Sequence, residues 1–471
     1  MTKLPVTGIN TDSTAPLVGT TKEMWSCLGI YLSEALHQKF ESCSCALRIS
    51  VPQICLQTLL QTASKKGHPA DKGFLSFDEG AAGTSLALLV SGAVGTGVLA
   101  LPYGVSCVGI GLSLSLFALA GVATYASNTI LFDCVLKTGH GSYGQLMLDI
   151  LGKSGAMVLD MFVFIEGLGA VATYIVFIMD YVPQVCALWG DDHWCTDKLN
   201  VAWATTVVVW PLSCLRGLSA LRYTSTCSIA TILLTSIVVI IKAPVHFHAK
   251  DASFQHVLEE VKWNMSGFQV LSMACFAFMT HTNSPEIALR FVGGPRLARK
   301  VLTIQTCLLW AVYCAIAVCG YLSFLDDIKQ DFLTNYEVRD RLIVLCRCLL
   351  SSTLVFACPI NMFPAMQALF NILEGLRGKA PHEERLYDMH HVRIPVTTAA
   401  FALTLGVALK SPHVADLIGT LSAYFSSPLM FAFPAIMHWK ILGRQDMGLP
   451  VCLLMLTAAL WLAELSRFFL A

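Results

Sequence analysis

Apolar runs recur along this chain from Gly83 onward, and they constrain its fold more than any other feature of the sequence. Each run has about the 20 residues that a helix needs to cross the hydrocarbon core of a bilayer. Only 13% of the residues are charged, against about 25% in soluble domains, so the chain cannot cover a globule in water. The sequence therefore predicts an all-α polytopic membrane protein.

We predict a transmembrane domain over residues 79–471, after a loosely ordered tail over residues 1–78 that contains polar stretches. A moderately apolar piece within the tail, residues 46–60, is a candidate for the membrane surface. The domain contains eleven predicted spans, at residues 83–106, 109–134, 155–187, 200–215, 221–243, 267–289, 300–324, 342–372, 393–410, 413–437 and 448–470.

The distribution of basic residues predicts the orientation of these spans. With a cytosolic N-terminus, the cytosolic segments hold 21 Lys and Arg residues and the opposite side holds nine. Cytosolic loops of membrane proteins carry such an excess of basic residues. We therefore expect the N-terminus in the cytosol. A formal net charge of zero offers no field that would attract nucleic acid.

The first span is interrupted by three glycines within six residues, Gly92, Gly95 and Gly97. Each glycine in a helix costs about 1 kcal/mol relative to alanine. Irregular backbone survives at membrane depth only where it is buried in protein or lines a polar cavity. Close packing of small residues between helices is the alternative, but the glycine run is longer than such packing needs. We predict a broken helix here.

The sixth span has a matching interruption at Thr280–Ser284, where five polar residues precede Pro285. Such a stretch is expensive inside an ordinary span. Paired interruptions in two halves of a chain mark the binding site of transporters that are built from inverted repeats. Half-helix N-termini suit a carboxylate and exposed carbonyls suit an ammonium group. A zwitterionic amino acid presents both groups, so the pattern favours amino acid transport.

The same residues resemble the amino acid/auxin permease family, in particular its sodium-coupled neutral amino acid transporters and fungal vacuolar amino acid transporters. The resemblance extends over about residues 80–470. It is carried by Gly95–Tyr103 (GTGVLALPY), Gly169–Tyr174 (GAVATY) with Asp180, Leu221–Ser225 (LRYTS) and Phe276–Asn283 (FAFMTHTN).

The resemblance implies a five-plus-five inverted-repeat core with broken first and sixth helices, plus one extra helix. It also implies that substrate binds between the first and sixth spans and a coupling cation between the first and eighth. Sodium-coupled members often carry Asn near Ser91 and a hydroxyl residue near Ala357, and this chain has neither, which favours a proton over Na⁺. Either the plasma membrane or a vacuolar or lysosomal membrane fits the family.

Three sets of candidate site residues follow from these arguments. The substrate-binding candidates are Ser91, Gly92, Gly95, Thr96, Gly97, Thr173, Tyr174, Phe278, His281 and Thr282. The candidates for proton or cation coupling are Glu166, His281, Ser352 and Thr353. Glu286 and Arg290, four residues apart, are a candidate gate or a stabilising ion pair.

Two titratable candidates keep alternative interpretations. A charge at Glu166, deep in the third span, costs about 2.5–3.5 kcal/mol. It is a proton site, a selector for cationic amino acids, or a neutral carboxyl that locks helices together. His281 relays a proton, gates or contacts substrate, or it ties the broken backbone of the sixth span.

No sequence pattern predicts an enzyme, a metal site or a cofactor. A membrane sensor that binds amino acid without net transport remains the alternative function, with the N-terminal tail as its signalling element.

Cys186 and Cys195 lie in an extracytosolic loop and can form a disulfide if that compartment is oxidising. The sequence does not decide whether Arg347, within the eighth span, reaches the interface or pairs.

Overall fold

The computed structural model describes residues 80–190, 193–215, 224–248, 257, 261–262, 264–377, 385–411, 413–443 and 448–470. The predicted tail and its surface piece lie outside these residues. The described helices are α1 (Ala82–Ala93), α2 (Gly97–Val108), α3 (Ile110–Thr138), α4 (Tyr143–Cys186), α5 (Lys198–Ser213), α6 (Thr224–His248), α7 (Ser266–Phe278), α8 (Ser284–Arg290), α9 (Gly294–Phe324), α10 (Arg341–Arg377), α11 (His390–Lys410), α12 (Val414–Leu442) and α13 (Gly448–Leu470). No strand occurs in this part of the chain, which confirms the all-α prediction.

Eight of the described helices are long and apolar enough to cross a membrane, and α1 with α2, bent by 59° at their break, form a ninth candidate. The fourth predicted span coincides with α5, which has 16 residues. The sixth coincides with α7 and α8, which have 13 and 7 residues. Every predicted span therefore coincides with helix, whereas the number of eleven crossings stays a prediction.

The helix boundaries follow local chemistry. Gly152, with φ +67°, interrupts α4 and separates a preceding segment from the long apolar part, which matches the predicted start at residue 155. Pro359 and Pro364 lie inside α10, yet the helix continues to Arg377. Neighbouring helices can satisfy the backbone groups that a proline frees within a membrane.

The helices pack in two groups. In the first, α7 contacts α2 and α3, while α9 contacts α1, α2, α3 and α6. In the second, α4 packs along α10, and both contact α5. α12 lies between the groups, in contact with α4 and α7. The half-helices of both breaks thus belong to one group, and the long third and eighth spans belong to the other.

The segment between α9 and α10 folds over the end of the bundle opposite the start of α1. Arg347, which is fully buried, donates hydrogen bonds to the carbonyls of Leu333 and Tyr336 at 2.8 and 2.9 Å. Asp331 in the same segment accepts a hydrogen bond from the Tyr181 hydroxyl at 3.0 Å. Arg347 therefore pairs with backbone carbonyls of this segment.

Candidate functional site

The first break separates α1, which ends at Ala93, from α2, which begins at Gly97. A Cβ atom at Gly97 would lie 2.9 Å from the Cα atom of Ala277, so only glycine allows this approach of α2 to α7. A Cβ atom at Gly95 would lie 3.9 Å from the Tyr174 hydroxyl, its nearest neighbour. Small-residue packing therefore explains Gly97, whereas Gly95 borders open space.

The second break lies between Phe278, the last residue of α7, and Ser284, the first residue of α8. Its polar side chains bind α3. His281 is fully buried, with Nε2 at 2.6 Å from the Ser127 hydroxyl. The Asn128 amide donates to Thr280 Oγ1 at 2.9 Å and accepts from the Ser284 hydroxyl at 2.7 Å. This geometry matches the interpretation of His281 as a tie for the broken backbone.

Tyr313 of α9 joins the two breaks. Its hydroxyl lies 3.1 Å from the carbonyl oxygen of Ala93 and 2.8 Å from that of Ala277. Both carbonyls belong to the last turn of a half-helix, where no intrahelical partner is available. The Tyr313 ring also packs against Phe278, with centroids 5.0 Å apart. One fully buried side chain therefore fixes the spacing of both half-helix ends.

The breaks are reachable from the face of the bundle where α1 starts. Gly92 and Asn283 are both exposed, and a Cβ atom at Gly92 would lie 3.3 Å from the Asn283 amide nitrogen. Beyond the first break, the hydrophobic residues Val98–Leu101 of α2 are at most 1% exposed. The breaks are therefore exposed on the side of Gly92 and Asn283 and buried along α2.

The opposite face is closed by hydrogen bonds around the N-terminus of α12. Gln330 accepts from the backbone N–H groups of Ala415 and Asp416 at 3.0 and 3.3 Å. The Asp416 carboxylate accepts from Gln269, Gln330 and Arg467 at 2.8, 2.8 and 3.0 Å. These contacts join the α9–α10 segment to α7, α12 and α13.

Side chains of the long helices α4 and α10 lie next to the first break. Tyr174 of α4, which is 9% exposed, accepts a hydrogen bond from the Asn361 amide of α10 at 3.3 Å. Through Tyr174, Asn361 is the α10 residue that the structure connects to Gly95. The hydroxyl of Thr96 is buried and has no hydrogen-bond partner within the described residues. The break therefore has unused hydrogen-bonding capacity.

Several predicted site residues lie elsewhere or use their polar atoms locally. Thr173, Ser352 and Thr353 donate to carbonyls of their own helices. Ser352 lines a groove between α5 and α10, away from the breaks. Glu286 and Arg290 form an ion pair at 2.6 Å with more than half of each side chain exposed, and such surface pairs contribute about 0–1 kcal/mol. Thr282 is half-buried within the second break.

Glu166 lies on the face of α4 that meets α12. Phe162, four residues earlier, packs against Phe425 with centroids 5.8 Å apart. Gly169, three residues later, is in close contact with Leu421. The Glu166 side chain is half-buried, and no cation lies within ion-pair distance of it in the described residues.

The candidate site residues in the sequence do not include the partners that hold the breaks, namely Ser127, Asn128, Tyr313 and Asn361. An asparagine inside an apolar span is costly, so Asn128 and Asn361 carry a signal that sequence alone could have used. Tyr313 carries none, because a tyrosine in an apolar run commonly serves packing or the interface.

Comparison with known proteins assigns this arrangement to a family. Residues 78–461 match the family model described as transmembrane amino acid transporter protein. The chain belongs to this family. Its fold class and composition agree, and the members found by comparison are transporters rather than enzymes.

Two similar members of the family differ in how much of their length is shared. A Toxoplasma gondii protein named as an amino acid transporter is 28% identical over 312 residues, which cover 65% of this chain and 42% of that protein. Sodium-coupled neutral amino acid transporter 7 of Danio rerio is 26% identical over 383 residues, which cover 76% of this chain and 79% of that protein. The chain thus spans less than half of the Toxoplasma relative.

Solved structures with a similar fold include two crystal structures of mutants of a manganese transporter from Eremococcus coleocola. Both have a TM-score of 0.50 and cover 86% of this chain and 88% of theirs, at 13% and 14% sequence identity. This likeness concerns the fold alone.

Proposed function

We propose that this member of the amino acid transporter family is a secondary active carrier of neutral amino acids, driven by a proton or another cation. The observation that carries the proposal is the pair of facing breaks, which are joined by Tyr313 and open to one face of the bundle. The family match and the neutral substrates named for the Danio rerio relative support it.

The first break offers complementary groups for a zwitterion. The N–H groups of Gly97 and Val98, the first two residues of α2, have no partner within a regular helix, and the positive end of the helix dipole favours a carboxylate there. Thr96 supplies a buried, unpaired hydroxyl at the same position. The carbonyls of Ala93 and Ala277 each retain a lone pair beside the Tyr313 hydroxyl and suit the ammonium group. An amino acid therefore fits with its backbone groups at the breaks.

For the coupling ion, we propose Glu166 as the proton-binding residue. The Danio rerio relative is named as sodium-coupled, which makes Na⁺ the competing ion. In this chain, however, Ser352 and Thr353 donate to carbonyls of α10. Glu166 is a carboxyl within a span and has no ion-pair partner in the described part of the chain, so proton binding costs it no salt bridge.

We propose that the open face is cytosolic. The structure joins Cys186, at the end of α4, to Cys195 in a disulfide at the opposite face. Disulfides persist in oxidising compartments and are rare in the cytosol. The excess of basic residues at the α1 face supports the same orientation.

A flux measurement in proteoliposomes tests this function. Purified protein is assayed with a panel of radiolabelled amino acids at two pH values, each with and without Na⁺. We expect saturable uptake of neutral amino acids that is stimulated by acid on the loading side. In parallel, Gly95→Leu should abolish uptake because its side chain fills the space beside Tyr174. Uptake that depends on Na⁺ alone would reject proton coupling. Normal uptake kinetics in Gly95→Leu would reject substrate binding at the breaks.

A further inference from the structure

The tenth span, α12, departs from a regular α-helix in several segments. Its segments Ser422–Ser426 and Pro428–Ala432 are π-helical. Pro428 and Pro434 have no backbone N–H group to donate, so the regular ladder cannot continue through them. π-helical turns are rare and occur frequently at functional sites.

Two serines of this segment have unused hydroxyl groups. Ser422 and Ser426 are both fully buried, and neither Oγ atom has a hydrogen-bond partner within the described residues. Ser427, next in the chain and equally buried, donates to the Ala423 carbonyl at 2.6 Å. Burial of an unpaired hydroxyl is unfavourable, so the difference between these serines calls for an explanation.

The neighbours of α12 show which way the two serines face. Tyr424 packs against α13, where its ring lies 6.2 Å from that of Trp461. Leu421 and Phe425 face α4. Ser422 and Ser426 directly follow Leu421 and Phe425, and each residue of a helix is rotated by about 100° from the one before it. The two serines therefore lie on the side of α12 opposite Tyr424. On that side, the segment contacts α7, whose C-terminal end forms the second break.

Glu166 borders the same region from α4. It lies between Phe162 and Gly169, which contact Phe425 and Leu421 of α12. The Glu166 carboxyl group and the two serine hydroxyls therefore border the same stretch of α12, which also contacts α7, the helix that ends at the second break. Hydroxyls donate and accept hydrogen bonds, and a carboxylate accepts them.

We propose that Ser422 and Ser426 form a polar subsite for the side chain of the substrate, so that amino acids with a hydroxyl or amide are carried in preference to apolar ones of the same size. This inference rests on the proposed transport function and names its substrate class. A site that is built to hydrogen-bond a polar group rejects an analogue that lacks the group, because buried polar atoms of the site are then left unpaired.

Isosteric substrate pairs test the subsite. Uptake of threonine is compared with that of valine, and uptake of asparagine with that of leucine, in proteoliposomes that contain the parent protein. The same ratios are measured for Ser422→Ala, Ser426→Ala and the double variant. We expect the polar substrate to be preferred at least about tenfold by the parent, and this preference to fall about tenfold in the double variant.

Ser427→Ala is the matched control, because it removes an equally buried hydroxyl whose hydrogen bond is internal to the helix. Its substrate ratios should equal those of the parent. Unchanged ratios in both single variants and the double variant, or an equal fall in Ser427→Ala, would overturn the subsite while leaving transport intact. If the parent carries none of the four amino acids, the transport function itself fails and the subsite falls with it. The single variants preserve the test if the double variant does not fold.

Discussion

The Tyr313 hydroxyl contacts both half-helix ends, so its removal should loosen both breaks. We expect Tyr313→Phe to lower stability by about 1–3 kcal/mol, because a buried carbonyl is left unpaired. Transport should fall at least about tenfold, since the backbone that holds substrate loses its spacing. Thermal unfolding and uptake kinetics check these effects.

Tyr143→Phe is the control for that experiment. Tyr143 is buried, and its hydroxyl donates to the Leu429 carbonyl at 2.6 Å, away from the breaks. It should lose similar stability while its KM stays at the parent value. An equal rise in KM for both variants would argue against a special role for Tyr313.

Glu166 is the residue on which proton coupling depends in this account. Glu166→Gln keeps the size of the side chain but removes the titratable group, so we expect uptake that no longer responds to pH, with surface expression preserved. Uptake is measured as a function of pH from about pH 5 to about pH 8, a range that includes neutrality. Asp160→Asn, on the same helix, should keep the parent profile. A parental profile in Glu166→Gln would reject the proton role.

At the scale of secondary structure elements, the contact between α2 and α7 depends on the absence of a Cβ atom at Gly97. Gly97→Ala places a Cβ atom against the Ala277 backbone, which cannot yield like a flexible side chain. We expect a loss of about 1–3 kcal/mol from overpacking and loss of transport. Gly95→Ala, with room for a methyl group, should fold and transport normally. Equal behaviour of the two variants, compared by thermal unfolding and uptake, would contradict the packing described here.

The start of α10 predicts a pH effect on stability. Asp340 precedes the helix and accepts hydrogen bonds from the N–H groups of Leu342 and Ile343, and from Lys242 at 2.5 Å. Burial raises the pKa of Asp340, but the hydrogen bonds from Lys242 and the helix outweigh it and hold the pKa below its usual value. The stabilisation is therefore complete above the unfolded pKa of about 3.9 and is lost as pH falls through the lower folded value.

Asp340→Asn should lower the free energy of unfolding by about 1 kcal/mol at pH 7, and this difference should shrink as the pH falls below the unfolded pKa of about 3.9. Thermal unfolding from pH 3 to pH 7 measures it. Asp326→Asn, whose carboxylate is 70% exposed in its pair with Lys262, should change little. A difference that persists undiminished at acid pH would show that the charge of Asp340 is not its cause.

For the whole molecule, the sequence predicts the helices and both breaks well because their causes are local. Glycines at 92, 95 and 97 weaken a helix locally, and the polar run before Pro285 is costly inside a span. The glycines do not all serve one purpose, however, since Gly97 permits packing and Gly95 borders space. That difference depends on α7 and α4, which are distant in sequence.

The site is less predictable, because its partners come from other spans. His281 is a candidate for substrate and proton in the sequence, and its contact with Ser127 of α3 supports the alternative interpretation as a tie for the broken backbone. Ser352 and Thr353 had suitable oxygen atoms, but their hydroxyls bond their own helix. Serine and threonine in a span often donate to the preceding turn, so their presence in sequence does not indicate a free ligand.

An experimental structure with substrate bound would show whether an amino acid binds at the facing breaks. Cryo-electron microscopy of the purified protein, at saturating concentration of a transported neutral amino acid, should show ligand density between residues 94–96 and 279–283. Its carboxylate should lie at the N-terminus of α2. Continuous helices through both stretches, packed without a gap, or ligand density elsewhere in the bundle, would contradict the account.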